Sequence, residues 1–363
     1  MKRAKVDIKK TIKKKIEHRH ASVKTIHKVN DRNKLRIIDD TNITTKPVNV
    51  ELINGSQRTA LRSGNLNVNR IINNEETIGE IPKEVFFFWE GDKMSWMRYM
   101  TLFSFRKFNP DWKMILYVNR NTTFKNNPWS NKNVQDFFSY VGDDYFNKIL
   151  KLNIEIIEWD IYDNDLVKTD IILSPSQKSN FLKWYKLYET GGIYSDMDIL
   201  WFKPIDDFYN TLFLNDYDTA ICQTEYLSIG LLASKKNNPF FKDVFLNGFK
   251  SFRSHSYQSA GVLNIYNLFG GIQHKDVLNE MKVRYPKIKS YNIPMDLVYF
   301  LNHLKIEYAL ENSLNINDFP DESIGYHWYA GHPSIQKYNN ILTEKNYKKH
   351  NNVFTTLVKE ILK

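Results

Sequence analysis

Cysteine is almost absent. Cys222 is the sole one in 363 residues, so no intrachain disulfide can brace the fold, and a reducing compartment suits the chain. It sits in Thr219-Ala220-Ile221-Cys222, which reads as a buried strand, so packing rather than catalysis is expected of its thiol. No apolar run approaches the roughly 18 to 20 residues needed to cross a bilayer. The first residues also lack the apolar core of a secretory leader, and a cytoplasmic location is expected. Glycine and proline are sparse, at 14 and 11 residues, which leaves collagen-like and low-complexity classes out.

Acidic residues number 41 against 51 basic ones, a net charge of +10. That excess is local. Residues 1–30 hold eleven Lys and Arg against Asp7 and Glu17, so +9 of the +10 lies there. The rest is nearly neutral, and composition does not make the body a polyanion-binding surface. Residues 1–75 read as a basic arm and linker, partly helical or disordered, and 76–363 as the folded domain. The arm is expected to touch an anionic surface, nucleic acid or membrane, or a partner protein.

Apolar side chains make up 42% and aromatic ones 14% of the chain, enough for a substantial core. Val85-Phe86-Phe87-Phe88-Trp89 is a continuous apolar run, the pattern of a strand buried on both faces of a parallel sheet. Helices are expected at 95–108, near 133–150, over 176–189 and at 239–252. Strands are expected at 113–118, 154–159, 193–194, 219–222 and 229–234. This alternation points to an α/β layered domain. Gly191-Gly192 closes the 176–189 helix in the manner of a C′ glycine.

The motif that carries chemistry follows that break: Gly191-Gly192-Ile193-Tyr194-Ser195-Asp196-Met197-Asp198. Two carboxylates at i and i+2 of an extended segment project to one side, with Met197 directed into the core. Such a pair can share a hard divalent cation, and a diphosphate leaving group needs one. Asp-x-Asp also occurs at Asp163-Asn164-Asp165 and Asp216-Tyr217-Asp218, where surface turns are expected. Only the middle pair is wedged between apolar strands, where an unpaired charge costs several kcal/mol.

Taken with its flanks, this string resembles the DXD-containing sugar transferases, a group that includes yeast-type α-1,6-mannosyltransferases, capsular polysaccharide transferases and, more distantly, glucosylating clostridial toxins (glycosyltransferase family 32-like). The resemblance spans roughly residues 80–335 and is strongest from Ser179 to Leu200. It implies a GT-A type nucleotide-sugar-binding fold with a mixed, mostly parallel central sheet flanked by helices. It further implies a retaining, metal-dependent transfer from a nucleotide-sugar to a glycan or glycoprotein acceptor. UDP-sugars are favoured over GDP-mannose as donor, and Mn2+ over Mg2+ as cation.

By the same resemblance Asp196 and Asp198 hold the metal, with His327 of His327-Trp328-Tyr329-Ala330-Gly331-His332 as a further ligand. Trp89 would stack on the base, and Ser179, Asn180, Lys183 and Tyr194 would contact the donor, Lys183 also serving the reaction. Asn180 and Lys183 stand where the family usually has Asp and Arg. That exchange removes a carboxylate and a two-pronged guanidinium together. It keeps open a non-catalytic relative that only binds nucleotide-sugar or glycan.

Overall fold

The computed structural model describes residues 65–66, 76–119, 140–162, 167–168, 173–253 and 256–363. The arm and linker assigned to 1–75 lie outside these apart from Asn65–Leu66, as does Asp163-Asn164-Asp165. Eleven strands are described: β1 Asn65–Leu66, β2 Glu84–Glu90, β3 Lys113–Asn119, β4 Glu155–Glu158, β5 Val167–Lys168, β6 Gly192–Ser195, β7 Ile199–Trp201, β8 Thr219–Gln223, β9 Leu227–Ser234, β10 Ser290–Asn292 and β11 Gly325–His327. Seven of them form one sheet in the order β10-β8-β9-β6-β2-β3-β4. Its β10–β8, β6–β2, β2–β3 and β3–β4 pairs are parallel, while β9 runs antiparallel to both neighbours. The mixed, mostly parallel α/β sheet expected from the sequence is present.

The apolar run of β2 explains its central place. Phe86 and Phe88 enter one core layer and Val85 and Phe87 the other, so both faces of the strand are covered. On the first face lies helix Pro175–Glu189. Ser174 caps it reciprocally with Gln177, and Pro175 opens it with a φ already suited to a helix. Gly191 ends it at φ +73°, and a Cβ there would meet the Ser234 carbonyl at 2.6 Å. A side chain is thus excluded on two counts just where the chain turns into β6.

On the other face lies helix Trp96–Phe108, ended at Asn109. The helix expected near 133–150 is a single α-turn, Phe146–Ile149, among the described residues. A third core layer was not anticipated. It joins Trp96, Leu200 and Trp328 to the C-terminal helix Val353–Ile361 and is roofed by the β7–β11 ribbon.

One ion pair is sunk inside this frame. Lys178 Nζ lies 3.1 Å from Glu90 Oε1, with both side chains essentially without solvent contact. Burial lifts the Glu90 carboxyl to about 7, although Lys178 pulls the other way. Since the folded value lies above the unfolded one, Glu90's contribution to stability is complete below about 4.5 and fades as pH rises towards 7. Lys178→Ala strands the carboxylate, and a loss of about 3–5 kcal/mol in unfolding free energy is expected. The loss should be smaller at pH 5 than at pH 8, because Glu90 is then protonated. Urea unfolding at both pH values checks this, and an equal loss at both would contradict it.

Candidate active site around Asp196, Asp198 and His327

The Asp pair is not on a strand. β6 ends at Ser195, and Met197 and Asp198 form a turn before β7. The expectation of an extended segment is therefore corrected. The chain must leave the large sheet here, because β7 pairs with β11 in a separate ribbon. Met197 is buried in the core as anticipated. The turn, rather than strand alternation, brings the two carboxylates to one side.

The ribbon then delivers the third group. In the antiparallel register His327 faces Ile199, one residue past Asp198. Its Nε2 lies 3.2 Å from Asp198 Oδ1 and 3.9 Å from Asp196 Oδ2. One ligand atom from each of Asp196, Asp198 and His327 falls within 4.8 Å of the others. Asp198 is further pinned by the Ala330 amide, which donates to Oδ2 at 2.8 Å. Tyr329, between them, takes a left-handed φ of +52°. His332 stands apart from the triad, as N-cap of helix Pro333–Ile341.

The helix over β6 supplies the other side. The Tyr194 phenol donates to Asp196 Oδ1 at 2.6 Å and is itself 2.9 Å from Ser179 Oγ. Lys183 Nζ is 3.3 Å from the same Asp196 oxygen and donates to the Ile229 carbonyl at 3.2 Å. Ser179, Lys183, Tyr194 and the Asp pair therefore form one connected group. Asn180 is buried on the same helix, its amide against Gly261.

The electrostatics follow from burial and charge. Burial opposes ionisation of Asp196, yet Lys183, His327 and the Tyr194 hydroxyl hold its carboxyl well below the usual range. Asp198 is likewise lowered against its burial, chiefly by His327. Burial would depress His327, but the two carboxylates raise it to about 9. Lys183 is pulled down by burial, with Asp196 working against the fall. A pocket that holds an imidazolium between two carboxylates is one where a divalent cation can replace that proton. Two carboxylates and an imidazole also suit a first-row ion better than the all-oxygen shell that Mg2+ prefers.

Trp89 lies at the carboxyl end of β2, the edge where open α/β sheets take ligands. Arg98 stands 5.7 Å over its ring and 5.1 Å over that of Trp328. Sequence reasoning missed Arg98, which shares its helix with the basic residues Arg106 and Lys107 and belongs to no motif. It also missed Gly230, whose carbonyl accepts from the Asp196 amide at 2.7 Å. The pair Asp216 and Asp218 is held by Lys235 in ion pairs. Asp218 also accepts from Thr77 and from the Lys289 amide, which makes it a buried brace rather than a solvated turn.

Residues 94–217 match the family model described as a glycosyltransferase sugar-binding region containing a DXD motif. Over 130 residues the chain is 31% identical to an uncharacterized glycosyltransferase of Acanthamoeba polyphaga mimivirus. That stretch is 36% of this chain and 44% of the relative, so the chain spans less than half of the relative's length. Among solved structures it is similar to the PaToxG glycosyltransferase, with a TM-score of 0.36 and 18% identity over 56% of this chain and 75% of that one. It is also similar to galactosyltransferase LgtC in complex with donor and acceptor sugar analogs, with a TM-score of 0.32 and 12% identity over 73% and 99%. These structural likenesses are weak, and the sheet order and site geometry stand on this chain alone. Through residues 94–217 the likeness is to the glycosyltransferase sugar-binding regions containing a DXD motif.

Proposed function

We propose that this chain is a metal-dependent, retaining hexosyltransferase that moves a sugar from a nucleotide-sugar, UDP-linked in preference to GDP-linked, to a glycan or glycoprotein hydroxyl. The observation that carries the reading is the convergence of Asp196, Asp198 and His327 at the carboxyl edge of the sheet. A divalent cation there, Mn2+ in preference to Mg2+, would take up charge on the departing diphosphate.

The chain's own groups do the rest. Asp196 and Asp198 would hold the diphosphate's counter-ion, and His327 would complete the set from the ribbon. Lys183 places a buried ammonium beside Asp196, where negative charge develops on the leaving group. Ser179 and Tyr194 fix the Asp196 carboxylate, and Asn180 offers an uncharged amide to the donor. In front-side attack the sugar C1–O bond to phosphate breaks as the acceptor oxygen bonds C1 on the same face. The acceptor's proton passes to the leaving diphosphate. Within this reading residues 76–363 are the catalytic body, and residues 1–75 are an arm for an anionic surface or a partner protein.

A melting scan with UDP and GDP, each with and without Mn2+, tests the reading alongside donor hydrolysis. A ligand at 100 times its Kd stabilises by about 2.7 kcal/mol, so UDP with Mn2+ should raise the melting temperature clearly. Absence of any nucleotide effect would sink the proposal. A nucleotide effect without hydrolysis or transfer would favour the non-catalytic reading that Asn180 and Lys183 suggest.

Trp89→Ala should weaken UDP binding by about 1–3 kcal/mol, the scale of a base stacked on an aromatic ring. Titration calorimetry reads it. Unchanged affinity in a protein that melts earlier would make Trp89 a packing residue only.

A further inference from the structure

A chain of rings leads away from the metal triad to the surface. Tyr329 lies 4.2 Å from His327, His303 6.4 Å from Tyr329, and Tyr226 5.3 Å from His303, centroid to centroid. His274 closes the outer end, 5.3 Å from Tyr226. Both outer imidazoles stand nearly perpendicular to the Tyr226 ring, at 78° and 88°. Tyr226 keeps 43% of its surface exposed in the turn between β8 and β9, and Leu304 beside His303 keeps 62%. An exposed aromatic corner of this kind, continuous with a buried polar site, is unusual for a surface with no ligand.

The strand order says which side of the reaction the corner serves. β9 runs antiparallel to β6, with Ser195 opposite Leu231 and the Asp196 amide bonded to the Gly230 carbonyl. Residues 226–229 therefore continue past the end of β6, on the same edge as the Asp pair. β2, which carries Trp89, flanks β6 on its other side. Trp89 and Tyr226 thus lie on opposite flanks of the metal triad. With the nucleotide on the Trp89 flank, the Tyr226 flank is left for the second substrate.

We propose that Tyr226, His303, His274 and Tyr329 form an acceptor subsite for a pyranose ring, so that the acceptor is a glycan rather than a bare peptide side chain; this rests on the nucleotide-sugar reading above. A pyranose is amphipathic: one face presents C–H groups, the rim presents hydroxyls. An aromatic face packs against the former, and imidazole nitrogens can donate to or accept from the latter. Tyr329 joins the corner to the triad, so an extended glycan seated on Tyr226 would run along the rings towards the metal triad.

Saturation-transfer NMR on the full chain with UDP and Mn2+ tests this. The probes are methyl α-mannopyranoside, methyl β-glucopyranoside, methyl β-galactopyranoside and chitotriose. At least one should receive saturation at its ring C–H protons. Tyr226→Ala should weaken that probe roughly 3- to 10-fold, the scale of one aromatic contact, and Tyr226→Phe should restore it. His303→Ala should weaken it as well. No saturation of any probe by the native chain would overturn the subsite, as would unaltered saccharide binding in Tyr226→Ala. Loss of UDP rather than saccharide in Tyr226→Ala would overturn it too, by making the corner a nucleotide contact. Titration of UDP on the native chain reads the nucleotide-sugar proposal separately: saccharide binding without UDP binding sinks that proposal and overturns the acceptor role, leaving a saccharide site only.

Discussion

Asp198→Asn is expected to abolish sugar transfer in a protein that remains folded. The amide keeps an oxygen for the Ala330 N–H, which now donates to Oδ2 at 2.8 Å, so the turn stays closed. What it loses is the charge that, with Asp196, faces His327. Stabilisation of the leaving diphosphate by a held cation is worth several kcal/mol, so turnover should fall roughly 1000-fold or more. Asp198→Ala should be equally inactive but less stable, by about 1–3 kcal/mol, because a buried N–H loses its acceptor. Hydrolysis of UDP-sugar with Mn2+, measured beside circular dichroism, separates the two effects. Near-native turnover in folded Asp198→Asn would remove the metal assignment. Asp216→Asn is the control: it belongs to another Asp-x-Asp string, is tied to Lys235, and should leave turnover as it was.

That control shows what made the site legible. Three Asp-x-Asp strings look alike as strings. Context distinguished the one at Asp196, because the double glycine and the apolar strands on both sides imply burial. The helix 176–189, the strand at 85–89 and the mixed sheet were readable for the same reason: their apolar spacing is local. The turn geometry at Met197 and Asp198 was not, since it is set by β11, whose Gly325–His327 arrive from far downstream to pair with β7 at Ile199–Trp201. His327 was reachable only through the resemblance, and the ring chain through Tyr226 and His303 not at all, because its members sit far apart in sequence. Arg98 and the Glu90–Lys178 pair were hidden by a different cause. A lone charge beside an apolar run reads as a solvated end until the partner that buries it is known.

Gly230→Ala should disable the metal site by adding one methyl group. Gly230 lies in the interior of β9, with its backbone outside the left-handed region, so alanine can adopt the conformation. The new Cβ would stand 2.8 Å from Asp196 Oδ2, 3.0 Å from Tyr299 Oη and 3.2 Å from His327 Nε2. The first of these is too close to persist. Oδ1 of Asp196 is held by Tyr194 and Lys183, so the carboxylate must turn about that anchored oxygen and take Oδ2 away from the shared cation position. The contact falls on a side-chain tip rather than on backbone, and alanine also restricts the unfolded chain more than glycine does. The melting temperature should therefore stay near the native value. Cation affinity should fall by roughly 10- to 100-fold, the range seen when the supports of a ligand are disturbed, and transfer should fall with it. Mn2+ titration followed by electron paramagnetic resonance gives the affinity, and calorimetric melting gives the stability. Undiminished Mn2+ affinity in the folded variant would place the cation away from Asp196 Oδ2 and His327 Nε2. Loss of both affinity and fold would mean that the methyl group displaces β9 itself, and Gly230→Ser, with a larger group at the same atom, should then be worse in both respects.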